Sequence, residues 1–209
     1  MDTWLTGKMK VIIGIIIGCI LYTIIRNNWK TDKEEYCYEL LLHTKKLLDD
    51  NNIDFFLDYG TLLGAYRDNQ FIPHDTDIDI SIYNYDKVPK LLNDKNILRL
   101  YNLQLVRNGK ELHSLKLLKF KDTFLNRKLK HDNEIYIDIY KVYFQPTTDQ
   151  YMFYDTLFKI PTNTGTYLEY MYGDTWKTPI KGKHGSWPSS SKTIKNTEWF
   201  TKNVIEHTL

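Results

Sequence analysis

Residues 74–82 run His74-Asp75-Thr76-Asp77-Ile78-Asp79-Ile80-Ser81-Ile82. Acids alternate with β-branched or apolar residues, which is the period of a β-strand. The pattern predicts a strand over 74–83. Asp75, Asp77 and Asp79 would share one face, and Thr76, Ile78, Ile80 and Ile82 the other. The isoleucine face belongs in a core, and the acids belong at a rim. Three like charges a few ångströms apart repel unless a cation neutralises them or protons are retained. All-oxygen ligands favour a hard ion, Mg²⁺ or Mn²⁺, over zinc. A merely solvated polar face explains the run poorly, because Asp is a weak strand former. A calcium-binding EF-hand loop opens with a similar spacing. Counted from Asp75, however, position six is Ile80 where Gly is needed, and position twelve is Asp86 instead of Glu.

A second acid lies in Ile135-Tyr136-Ile137-Asp138-Ile139-Tyr140, inside a strand predicted over 135–143. An Asp flanked by isoleucines needs a partner or an ion if its face is covered. The alternative is that Asp138 points outward with Tyr136 and Tyr140. Upstream, Asp58-Tyr59-Gly60-Thr61-Leu62 puts Gly60 and Thr61 at a strand-to-helix junction. Backbone N–H groups and a hydroxyl at a helix start can hold a phosphate.

Around these motifs, apolar periodicity predicts a helix over 33–51, with Tyr36, Leu40, Leu41, Leu47 and Leu48 on one side. A strand is expected over 53–58, then a short helix through Leu62, Leu63, Ala65 and Tyr66. A helix is expected over 86–93. Two strands, 98–106 and 112–120, would flank the turn Asn108-Gly109. Beyond Thr162 the chain reads as loop-rich, with a short helix over 167–172. Helices and strands alternate, so the fold class is α/β (α+β) with a mixed sheet.

The chain has 209 residues, 28 basic and 26 acidic, for a net charge of +2. That balance offers no footprint for nucleic acid. Cys19 and Cys37 form neither a disulfide framework nor a zinc motif. The 16 tyrosines are given no functional weight. Val11 to Ile25 is an uncharged apolar run. As a helix it would reach roughly 22 Å, a short membrane span. Lys8 and Lys10 precede it, and Arg26, Lys30 and Lys33 follow it. The large residues at its exit argue against cleavage as a signal peptide. The expected organisation is a signal anchor over 1–30 (span 11–25), a connecting helix over 31–52 and a catalytic domain over 53–209.

The run Asp58-Tyr59-Gly60-Thr61-Leu62-Leu63-Gly64-Ala65-Tyr66-Arg67, continued by Phe71-Ile72-Pro73 and residues 74–80, resembles the LicD family of glycan phosphotransferases. Tyr167-Leu168, then Tyr172-Gly173-Asp174-Thr175-Trp176-Lys177-Thr178-Pro179 and His184, resemble its carboxy-terminal element. The family usually has Trp where this chain has His74. The resemblance implies a nucleotidyltransferase fold, with Asp77 and Asp79 as the metal-binding pair. Asp138 would be the third carboxylate, and Asp75 an additional acid. Gly60 and Thr61 would belong to the phosphate-side turn. Arg67, Lys181, Lys183 and His184 are the basic candidates for further phosphate contact. The implied activity moves a phospho-alcohol, such as phosphocholine or ribitol phosphate, from a CDP-linked donor to a glycan hydroxyl. The implied setting is a type II protein of a Golgi-like compartment. Two alternatives stand beside it: nucleotidyl transfer from a nucleoside triphosphate, and a catalytically silent, membrane-tethered glycan-binding protein.

Overall fold

The computed structural model describes residues 2–105, 114–117, 119–120, 135–142 and 146–179. The expectations at Asn108-Gly109, Lys181, Lys183 and His184 lie outside the described residues. Helix α1 runs unbroken over Asp2–Asp50. The anchor and the connecting helix expected here follow each other on one continuous helix. Between Gly18 and Asp50 there is neither Gly nor Pro, so nothing interrupts the hydrogen-bond ladder. The helix changes character along its length. Ile12, Ile15, Ile16, Ile20 and Tyr22 are exposed, whereas Tyr36, Cys37, Leu40, Leu41, Leu47 and Leu48 are buried in the main core. Among the described residues, no helix is long and apolar enough to cross a membrane. The C-terminal end follows the expected break. Asn52 takes φ 53°, and the Ile53 N–H reaches back to the Leu48 carbonyl at 2.9 Å.

Strand β1 (Phe56–Leu57) is shorter than the predicted 53–58. It leads into α2 (Tyr59–Asp68), and β2 follows over Asp77–Ile82. The predicted strand start at His74 is corrected here: His74 and Asp75 lie in a turn, and the Asp75 N–H donates to the Ile72 carbonyl at 3.0 Å. Next come a 3-10 turn, α3 (Val88–Asn93) and α4 (Lys95–Leu100). Helix α4 replaces the first part of the strand expected over 98–106. The Asp94 carboxylate accepts from the Asn96 and Ile97 N–H groups and caps the new helix. The remaining elements are β3 (Leu103–Gln104), β4 (Ser114–Leu117), β5 (Lys119–Phe120), β6 (Tyr136–Lys141), β7 (Thr148–Phe153), β8 (Thr156–Pro161) and α5 (Thr164–Tyr172).

Four strands form a mixed sheet in the order β1-β2-β6-β4. β2 and β6 are parallel, while β1 and β4 are antiparallel to their neighbours. β3 pairs with β5, and β7 with β8, as separate two-stranded units. The β7–β8 hairpin has no counterpart among the sequence expectations. Its two-residue turn is Tyr154-Asp155, with Tyr154 at φ 53° and no glycine to signal it. The hairpin closes the core through Phe153, which packs on Phe71 and Phe158 at 5.1 and 6.4 Å between ring centroids. It is fastened to α1 by the Tyr38 hydroxyl, which donates to Thr156 at 2.7 Å, and by Tyr154, which donates to Glu34.

Candidate active site

Ile78, Ile80 and Ile82 are fully buried, as the alternation requires. The opposite face of β2 is also covered: Asp79 is 5% exposed and Ser81 is 0%. Asp79 therefore sits deeper than a solvated rim, while Asp75 and Asp77 are half-buried. What covers Asp79 is the start of α2. The Gly60 N–H donates to Asp79 Oδ2 at 3.0 Å, and the Asp79 N–H donates to Thr61 Oγ1 at 2.8 Å. Gly60 and Thr61 thus reach the acids as supports for Asp79. A helix N-terminus and a buried carboxylate satisfy each other in this pairing, and a phosphate-side role for Gly60 and Thr61 remains a proposal beside it. A Cβ on Gly60 would lie 2.5 Å from Asp75 Oδ2 and 3.1 Å from Asp79 Oδ2, so any larger residue must displace the carboxylates from this arrangement.

Asp75 reaches the cluster from its turn, and carboxylate oxygens of Asp75, Asp77 and Asp79 lie within 4.8 Å of one another. Across the sheet, Asp79 is in register with Asp138, and parallel neighbours point to the same face. Asp138 is 4% exposed, so it does not point outward into solvent. The close trio does not include Asp138, which adjoins it from the side. Burial, and then the charges of Asp77, Asp75, Asp138 and Asp58, hold the Asp79 carboxyl well above the usual range. Burial and the adjoining Asp77 push Asp75 up to about 8. Carboxylates that raise one another in this way could hold a divalent cation, and an all-oxygen donor set would suit Mg²⁺ or Mn²⁺.

Several contributors were not singled out from sequence. Asp58 is fully buried and caps α2. It accepts from the Tyr59 N–H at 2.8 Å, Ser81 Oγ at 2.6 Å and the Tyr167 hydroxyl at 2.5 Å. The signal available was an Asp immediately before a helix start. Tyr59, Tyr140 and Tyr172 surround the acids. Desolvation, followed by the neighbouring carboxylates, raises the pKa of all three phenols. The Tyr59 and Tyr140 rings lie 4.5 Å apart. Tyr59 also adopts φ 42°, a strained value for a bulky residue, at the head of α2. Lys33 of α1 donates to the main-chain carbonyls of Pro73 and Asp75 at 2.9 and 2.6 Å, bracing the acid-bearing turn.

Arg67 is not brought to the acids. It lies seven residues beyond Gly60 along α2, about 10 Å of helix rise. Its guanidinium binds Asp68 at 2.6 and 2.9 Å and the Trp176 carbonyl at 3.4 Å. Lys183 and His184 fall outside the described residues.

Residues 52–190 match the family described as LicD/FKTN/FKRP, nucleotidyltransferase domain. The chain belongs to this family, and its domain is therefore of a transferase type. It is similar to an uncharacterized protein of Rickettsia typhi, 45% identical over 107 residues, covering 42% of this chain and 35% of the relative. It is also similar to the mouse (Mus musculus) ribitol-5-phosphate transferase FKTN, 29% identical over 180 residues, covering 75% of this chain and 36% of the relative. The aligned regions span 19% to 53% of the lengths of the curated relatives it matches. Among solved structures, the solution structure of the antibiotic-resistance factor ANT(2'')-Ia matches with a TM-score of 0.42 and 12% identity, over 78% of this chain and 80% of that one.

Proposed function

We propose that the protein is a divalent-metal-dependent phosphotransferase that moves a phospho-alcohol from a CDP-linked donor to a glycan hydroxyl. The observation that carries this is the meeting of Asp75, Asp77 and Asp79 with Asp138 from a separate strand. Family membership and the similarity to a ribitol-5-phosphate transferase support the choice of donor class. Asp75, Asp77 and Asp79 would hold Mg²⁺ or Mn²⁺, with Asp138 adjoining. When bound, the ion supplies charge neutralisation and orientation for the donor diphosphate.

The chain's own residues account for the rest. The Gly60 N–H and the Thr61 hydroxyl fix the Asp79 carboxylate and its backbone. The acceptor oxygen attacks the phosphorus that bears the alcohol, the P–O bond to the CMP portion breaks, and CMP leaves. The acceptor proton passes to a carboxylate. Asp138 is assigned that role because it stands beside the trio and so is the acid least committed to an ion. Tyr59, Tyr140 and Tyr172 limit water around the acids.

The apolar surface of α1 over residues 12–22 supports attachment to a membrane, and a single-pass, type II arrangement is proposed from the family resemblance alone. These side chains are exposed, and no described core packs on them. The deciding assay offers CDP-ribitol, CDP-choline, CDP-glycerol and nucleoside triphosphates, with Mg²⁺ and with chelator. The expected result is Mg²⁺-dependent release of CMP from one CDP-alcohol, at least 100-fold weaker in Asp77→Ala and Asp138→Asn. Pyrophosphate release from a triphosphate would instead establish nucleotidyl transfer. Turnover of no donor would favour the silent glycan-binding alternative.

A further inference from the structure

A cavity of about 530 Å³ lies between the end of α2, the β7–β8 hairpin and the first turn of α5. Its size is that of a small-molecule site. Two tyrosine rings, Tyr66 and Tyr151, flank it with centroids 5.8 Å apart, and Tyr66 is 39% exposed. Tyr151 is pinned by its hydroxyl, which donates to the Ala65 carbonyl at 3.1 Å. The polar lining includes Gln150, Asn163 and Thr166, which offer both donors and acceptors. Asn163 is exposed and makes no capping bond with its side chain. Among the described residues, the one charged side chain in the lining is the carboxylate of Asp149, and no Lys, Arg or His lines it. This chemistry disfavours a phosphate and suits a neutral polyol: flat aromatic faces for C–H surfaces, amides and a carboxylate for hydroxyls.

The position of the cavity gives it a role. Tyr66 is six residues beyond Gly60 on α2, and Thr166 is six residues before Tyr172 on α5. Gly60 and Tyr172 both border the acids. Each helix therefore carries the cavity about 9 Å of helix rise away from the reaction centre. We infer that this cavity is an outer subsite for a neutral sugar unit of the acceptor, so that the substrate is an oligosaccharide held at two points. The inference rests on the proposed glycan acceptor, but its test does not require turnover.

Saturation-transfer NMR on the full chain, with chitobiose, lactose and N-acetyllactosamine as probes, reads binding directly. The expected result is transfer to at least one disaccharide, lost in Thr166→Trp and weakened at least five-fold in Gln150→Ala, but kept in Asp79→Asn. Gln150 is exposed, so its truncation leaves the fold intact. The inference is overturned if none of the three sugars receives saturation, if both cavity variants bind normally, or if Asp79→Asn alone abolishes binding. CMP release, measured separately, tells failure of this subsite from failure of the phosphotransferase proposal.

Discussion

At the residue scale, two glycines of α2 make opposite predictions. A Cβ on Gly60 meets the ends of two short side chains, which can turn aside. Gly60→Ala should keep the fold but cost at least ten-fold in Mg²⁺ affinity, read by calorimetric titration; unchanged affinity would contradict the close packing of Asp75 and Asp79. A Cβ on Gly64 would stand 2.6 Å from the backbone oxygen of Gln70, which cannot move cheaply. Gly64→Ala should therefore destabilise the domain by about 1–3 kcal/mol in urea melts. The acids also set a pH dependence. Asp75 and Asp79 are held above the usual carboxylate range, so the folded chain keeps protons that the unfolded chain releases above about pH 4. The Asp75 contribution to stability is complete below that pH and is lost as pH rises through about 8, and Asp79 acts in the same direction. In chelator, the melting temperature should fall over this window. Mg²⁺ should raise it more at pH 8 than at pH 5.5, and an equal rise at both would count against the site.

At the element scale, Lys33 links α1 to the turn that presents Asp75. Lys33→Met should loosen that turn and weaken Mg²⁺ binding several-fold while leaving Asp79 in place. Tyr167 ties α5 to Asp58 beneath the acids. Tyr167→Phe removes a donor from a buried carboxylate and should cost about 1–3 kcal/mol, measured by chemical denaturation. The elements most legible from sequence were those whose period matched their burial. The C-terminal half of α1 showed its core face in Tyr36, Leu40, Leu41, Leu47 and Leu48, and β2 showed its own in Ile78, Ile80 and Ile82. The 98–106 segment misled because α4 is only six residues long and is set by the Asp94 cap. The β7–β8 hairpin went unread because Tyr154 supplies the turn's positive φ where Gly or Asn is the usual signal.

At the scale of the whole molecule, α1 joins an exposed apolar segment to a helix half embedded in the domain. Among the described residues, the buried side chains of α1 begin at Tyr36, so deleting residues 1–22 should leave the melting temperature nearly unchanged while abolishing co-sedimentation with lipid vesicles. Vesicle binding that survives the deletion would remove the anchor from the proposal. The sequence by itself determined the fold class and the principal acids, because strand periodicity and like-charge crowding are local properties. It also carried the resemblance through 58–80, since that motif is contiguous. Only the tertiary structure decided that Asp138 stands in register with Asp79, that Asp75 joins from a turn, and that Gly60 and Thr61 hold a carboxylate. It also decided that Tyr59, Tyr140 and Tyr172 enclose the acids. These arrangements depend on strand order and on the packing of α2 and α5 over the sheet, which bring together residues far apart in the chain.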